Sequence, residues 1–181
     1  ANSFSKNFEE AISLQINGTS NVVRASSKVG VSRFIFTSSD HVYMGLDSNS
    51  DVDENTELGI KFDNQDYFNR NMFASTNRIS YLMSMHEIDN SLIFRLASIY
   101  GPGECSNLIK GMITEAKNKG KIEIWGDGNR SVQFTHVSDV SKIISRSLEL
   151  PSGIYNISNI EKVKVLDAAR IISKYLGASI E

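Results

Sequence analysis

The sequence predicts an α/β protein whose strands form a parallel sheet, and three observations carry the prediction. Short apolar runs such as RFIFT (33–37) and SLIFRLASIY (91–100) are bounded by polar or Gly-Pro punctuation, as buried strands are. Segments of helical periodicity lie between those runs. The two kinds alternate along the whole chain, and such alternation gives parallel strands joined by right-handed crossovers.

The elements follow in order. A first helix is predicted over 8–29: Ala11, Leu14, Ile16, Val22, Val23 and Ala25 supply an apolar side, Gly18 interrupts it, and Gly30 stands where a C-cap glycine would. The strand over 33–37 comes next. Residues 44–66 are acidic, polar and aperiodic, and read as a long surface loop of the kind that often carries function. A helix over 72–86 leads into the strand over 91–100, which Gly101-Pro102-Gly103 stops. Then come a helix over 107–119, a short strand over 121–125 ending at Gly126-Asp127-Gly128, and a strand over 132–135. A helix over 137–148, a strand over 153–157 and a helix over 165–176 followed by Gly177 complete the chain. There is no internal repeat.

The 181 residues suit one domain with a small annex, and a composition of 40% apolar and 22% charged residues is ordinary for a globular protein. The net charge is -2 with scattered Lys and Arg, which points away from a nucleic-acid surface. A single cysteine, Cys105, excludes an internal disulfide and fits a reducing compartment. No apolar stretch approaches the length of about 20 residues that spans a bilayer, so a cytoplasmic protein without membrane association is expected.

The polar end of the first strand carries the most chemistry. In RFIFTSSDHVY (33–43) the apolar run meets three hydroxyls, Thr37, Ser38 and Ser39, then Asp40, His41 and Tyr43. Strand ends of open α/β sheets are where ligands bind. Around this cluster, INGTSNVVRAS (16–26), FASTN (73–77), FRLASIYGPG (94–103), IEIWGDG (122–128), FTHVSDV (134–140) and GIYNIS (153–158) fall in a specific order. Together they resemble the extended short-chain dehydrogenase/reductase family, the NAD-dependent nucleotide-sugar epimerases and dehydratases. The resemblance implies a Rossmann-like NAD-binding part over 1–103 and a mostly substrate-binding subdomain over 104–181. It starts late, after the βαβ unit whose Gly-rich turn cradles the cofactor pyrophosphate. The expected architecture is therefore an incomplete Rossmann-like parallel sheet with a small C-terminal subdomain. A fragment or a shortened relative, binding NAD or NADP poorly by itself, is expected. The turn GPGECS (101–106) mimics the phosphate fingerprint, but Pro102 removes a donor and Ser106 replaces its last glycine, so it reads as a strand-leaving turn.

In this family a Ser or Thr, a Tyr and a Lys four residues later share the catalysis. The lysine lies one helical turn from the tyrosine and lowers its pKa toward neutrality. By resemblance, Ser39 matches the hydroxyl and Asp40 the first acid of the sugar dehydratases. His41 stands at their second acid; it is either an acid/base group or a packing residue. FASTN aligns with the Tyr–Lys motif but puts Phe73 for Tyr and Asn77 for Lys. A second register keeps a tyrosine, Tyr67, and again lacks the lysine. Thr37, Ser38, Asn77 and Leu96 match cofactor positions. Ser98, Arg130 and Val132 match substrate positions, with Arg130 read either as a phosphate ligand or as a solvated turn residue. His136 and Asp139 match structural positions, and no metal-site spacing stands out. Two functions remain open: an epimerase, dehydratase or reductase acting on a nucleotide sugar, or a non-catalytic relative that binds a nucleotide sugar or a partner chain. The family also implies a homodimer through the helices near 8–29 and 72–86.

Overall fold

The computed structural model describes residues 8–44, 46, 51–58, 68–103 and 107–181. In chain order it runs α1 (Phe8–Ile12), a π-helical turn (Ser13–Gly18), α2 (Thr19–Lys28), β1 (Phe34–Ser39), a 3₁₀ turn (Asp40–Tyr43), α3 (Phe68–Glu87), β2 (Ser91–Leu96) and β3 (Ser98–Tyr100). There follow α4 (Leu108–Lys119), β4 (Lys121–Ile122), β5 (Ser131–Val132), β6 (Phe134–His136), α5 (Val137–Arg146), β7 (Gly153–Ile157), β8 (Val163–Lys164), α6 (Val165–Leu176) and β9 (Ser179–Ile180). Contacts divide the chain into two compact units, Ala1–Leu96 with Arg146–Asn156, and Ala97–Ser145 with Ile157–Glu181.

The first unit holds a three-stranded sheet of order β1-β2-β7. β1 and β2 run parallel, with Phe34 opposite Ser91 and Ser39 opposite Leu96. β2 is the central strand, and Ser91 to Arg95 are all buried along it. The first helical run does not break at Gly18, which keeps right-handed angles (φ -59, ψ -48). The backbone instead winds through a π-turn just before it. Such a turn disturbs the regular carbonyl ladder, and the Gln15 carbonyl accepts a hydrogen bond from the Ser80 hydroxyl of α3 at 3.1 Å. The expected apolar side of this run is divided: Val23 is buried, while Leu14 and Val22 are exposed. Gly30, at φ +67, closes α2 as a Schellman cap, its N–H on the Ser27 carbonyl and that of Val31 on Ser26. α3 begins at Phe68, a turn earlier than its periodicity predicts.

The apolar run over 91–100 breaks at Ala97. Its first half pairs with β1, and its second half, β3, pairs in parallel with β6 of the second unit. β4 pairs in parallel with β9, a strand too short to be read from sequence, and only two residues of the expected 121–125 strand join it. β5 and β8 pair antiparallel, so the sheet content is mixed rather than wholly parallel. The core of this unit packs Met112 and Ala116 of α4 against Ile122 of β4 and Val165, Ala169 and Ile172 of α6. Asn107 caps α4 by accepting the Lys110 N–H at 2.8 Å. No helix among the described residues is long and apolar enough to cross a membrane.

Two isoleucines of the second unit test this core. Ile122→Ala removes a side chain with no exposure, and is expected to cost about 2–5 kcal/mol in urea unfolding. Ile160→Ala, at a side chain 94% exposed, is expected to stay within about 0.5 kcal/mol.

Candidate active site

The site is built by the end of β1. Ser39 is still extended (φ -138, ψ 152) and caps the 3₁₀ turn, its hydroxyl accepting the His41 N–H at 3.2 Å. The same hydroxyl donates toward Asp40 Oδ1 at 3.2 Å and lies 3.0 Å from His41 Nδ1. His41 Nδ1 in turn lies 3.0 Å from Asp40 Oδ1. Three proton-bearing groups thus meet within one turn, with side chains about half exposed at Asp40 and His41. Both Ser39 and Asp40 face the same ring nitrogen. A hydrolase triad places its acid and its serine on opposite nitrogens, so this is not one.

The turn is anchored from below. Val42 is wholly buried with Tyr81 and Ile93. Arg78 of α3, also buried, donates from Nε to the Val42 carbonyl at 2.8 Å, from Nη2 to that carbonyl, and from Nη2 to the Met44 carbonyl at 3.2 Å. Burial, ahead of the neighbouring Arg95 charge, lowers the Arg78 pKa, while the Tyr81 phenol opposes the shift. α3 packs on this turn and buries Thr76 and Asn77 along the same helix. Phe73 lies on α3 one helical turn before Asn77, its side chain outside what the structure describes. Tyr67 lies outside the described residues.

Of the expected cofactor residues, Asn77 lies on α3, and Thr37, Ser38 and Leu96 fall at the carboxyl ends of two adjacent parallel strands. Thr37 is exposed; Ser38 is buried opposite Arg95; Leu96 is half-buried opposite Ser39. The Ser38 hydroxyl has no hydrogen-bond partner among the described residues. In the second unit, Ser98 lies in β3 and is half-buried. Val132 lies in β5 and packs on the Met112–Ile172 core. Arg130 is exposed, and its carbonyl accepts the Val165 N–H at 3.0 Å. The Asp127 carboxyl just before it is held below the usual range by the Asn129 side-chain amide and N–H. Trp125 is 92% exposed. His136 Nδ1 lies 2.7 Å from the Ser138 hydroxyl and accepts the Ser138 N–H, a local cap at the start of α5. Gly101 (φ +149) is required by packing, because a Cβ there would come within 2.5 Å of the Val137 side chain. Packing against Val137 and His136 thus accounts for the glycine at 101. Among the described residues no group of three or more His, Cys, Asp or Glu could hold a metal ion.

One network escaped the sequence reading. Arg95, only 3% exposed, sits over the rings of Tyr43 and Tyr81 at 5.0 and 5.3 Å. Its Nη1 donates to the Tyr43 hydroxyl at 2.7 Å. The Tyr43 hydroxyl faces Asn156 Oδ1 at 2.7 Å and the Asp53 carbonyl at 2.9 Å. Glu54 accepts the Asn156 N–H at 2.6 Å. The network ties residues 51–58 of the acidic loop to the sheet. Its signal in the sequence was an arginine inside the apolar run LIFRL.

A parallel sheet with a hydroxyl-lined strand end defines an incomplete Rossmann-like fold. The model of the NAD dependent epimerase/dehydratase family matches residues 3–158, and the chain belongs to that family. It is 34% identical over 96 residues to a dTDP-4-dehydro-6-deoxy-D-allose reductase of Streptomyces bikiniensis, covering 49% of this chain and 29% of that one. It superimposes on a dTDP-glucose 4,6-dehydratase of Bacillus anthracis in complex with NAD with a TM-score of 0.81 at 20% identity, over 97% of this chain and 57% of that one. A UDP-glucuronic acid 4-epimerase of Bacillus cereus in complex with NAD gives 0.77 at 21% identity, over 92% and 55%. The chain thus spans less than two thirds of the length of these relatives.

Removing the Tyr43 hydroxyl leaves Arg95 and Asn156 without that partner. Tyr43→Phe is expected to cost about 1–3 kcal/mol in chemical unfolding. Tyr175→Phe, at an exposed tyrosine, should cost nothing measurable.

Proposed function

We propose that this chain carries the proton-handling centre of an NAD(P)-dependent epimerase, dehydratase or reductase acting on a nucleotide sugar. The observation that carries this reading is the Ser39–Asp40–His41 cluster at the carboxyl edge of the parallel sheet. Oxidation of a sugar carbinol needs a hydrogen bond to the reacting oxygen and a base for its proton. Ser39 supplies the first. The His41 imidazole, paired with the Asp40 carboxylate, supplies the second. NAD, when bound, accepts the hydride from the carbinol carbon. Thr37, the unpartnered Ser38 hydroxyl and Leu96 suit the nicotinamide end of that cofactor. In the second unit Ser98, Val132 and the exposed Arg130 are assigned to the nucleotide sugar, with the guanidinium toward phosphate.

A second reading, a non-catalytic nucleotide-sugar binder, is favoured by one observation. Asn77, a neutral amide, is buried where the family's motif carries a cation. The enzyme would work in the cytoplasm as a homodimer. Leu14 and Val22 of the first helical run and Ile79, Leu82 and Met85 of α3 are exposed apolar side chains that suit such an interface.

Thermal unfolding separates the two readings. A midpoint raised by millimolar NAD selects the enzyme, because a ligand that binds only the folded state must stabilise it. A shift with UDP-glucose or dTDP-glucose but none with NAD selects the non-catalytic binder, and no shift with any of them overturns both. In an active preparation His41→Gln is expected to lower turnover about 10²–10⁴-fold. Unchanged turnover would remove His41 from the mechanism, and the same comparison with Tyr67→Phe decides that tyrosine. Leu82→Glu is expected to convert dimer to monomer in sedimentation velocity.

A further inference from the structure

We propose that Arg78 is a positioning residue, whose guanidinium holds the Ser39–Asp40–His41 cluster in its arrangement by gripping the carbonyl end of the turn that carries it. The inference rests on the reading of that cluster as the reacting centre. The turn Asp40–Tyr43 has four residues, and its C-cap bond runs from the Met44 N–H to the His41 carbonyl at 3.0 Å. A 3₁₀ turn this short has poor hydrogen-bond geometry, and while its Tyr43 carbonyl accepts the Leu46 N–H at 3.2 Å, those of Val42 and Met44 take their donors from α3. Val42 is wholly buried, so water cannot serve its carbonyl, and an unserved one costs about 1–3 kcal/mol.

Arg78 serves both carbonyls. Its Nε and Nη2 converge on Val42, and Nη2 reaches Met44 at 3.2 Å. The planar fork suits two acceptors at once, and an ammonium lacks that geometry. The charge also lies at the carbonyl end of the turn, where the peptide dipoles favour a cation. Ser39, Asp40 and His41 all lie within three residues of Val42. α3 therefore brings a cation to the turn through Arg78, one residue beyond the neutral Asn77, and its guanidinium holds the backbone of that turn.

The test is the imidazole ¹H–¹⁵N spectrum of the labelled chain, without NAD or sugar, its histidines at 41, 86 and 136 assigned by His→Gln variants. Arg78→Lys keeps the charge and most of the stem. It is expected to move the His41 Nδ1 resonance toward that of the exposed His86, while His136 stays in place. Arg78→Ala should do the same, with millimolar methylguanidinium restoring the native signal. A folded Arg78→Lys or Arg78→Ala chain with an unchanged His41 resonance overturns the proposal. So does failure of both variants to fold, which would make Arg78 a residue of general stability. A moved His41 signal in a chain that binds neither NAD nor nucleotide sugar keeps the role of Arg78 and removes only the reaction.

Discussion

The parallel pairing of β1 with β2 is the constraint on which the first unit depends. Its register sets Ser38 beside Arg95 and Ser39 beside Leu96, so the hydroxyl residues and the end of β2 open at one edge. The register is held by burial. Ser91 to Arg95 are all buried, and a slip by one residue would exchange the two faces of the strand. It would carry Arg95 away from Tyr43 and Tyr81 and drive Ile93 out of the cluster it forms with Val42. The position of the Ser39–His41 turn is thus a consequence of how an adjacent strand is packed.

That packing includes two buried guanidiniums, Arg78 and Arg95. Burying a charge is costly unless it is hydrogen-bonded or paired. Arg78 meets the cost with backbone carbonyls, and Arg95 with two tyrosine rings and their hydroxyls. Cation–π contacts contribute about 0.5–2 kcal/mol each. Arg95 Nε and the Ser38 hydroxyl, neighbours across β1 and β2, stay without partners among the described residues. The buried polar residues of α3, Thr76, Asn77, Arg78, Ser80 and Ser84, follow the same logic. This helix serves backbone groups of the π-turn, through Ser80, and of the 3₁₀ turn, through Arg78.

The proposed chemistry differs from the family's usual division of labour. A tyrosine lowered by a lysine is a single long-lived proton carrier, held on a helix. In the register that aligns FASTN with the family's motif those positions are Phe73 and Asn77, in the other they are Tyr67 and Asn71, and neither supplies the lysine. A hydroxyl, a carboxylate and an imidazole share one proton network on the strand-end turn, about half exposed to solvent. That arrangement depends on the turn keeping its shape.

The amino-acid sequence by itself determined the alternation of strands and helices, the family, and the composition of the strand-end cluster. These are local properties: β7 and α6 begin and end where their periodicity says, and Ser39, Asp40 and His41 meet because they share one turn. What only the tertiary structure decided rests on contacts between residues far apart in the chain. The run over 91–100 divides at Ala97 because its two halves have different partners, β1 and β6. β5 and β8 pair antiparallel over a span with no hairpin signal. Arg95 looked like a flaw in an apolar strand until two tyrosines from other elements enclosed it. Arg78 had no visible task until α3 packed against the end of β1 and placed a guanidinium on the carbonyls of Val42 and Met44. A sequence pattern reports which face of an element is apolar, whereas the partner of a buried polar group is settled only when the elements meet.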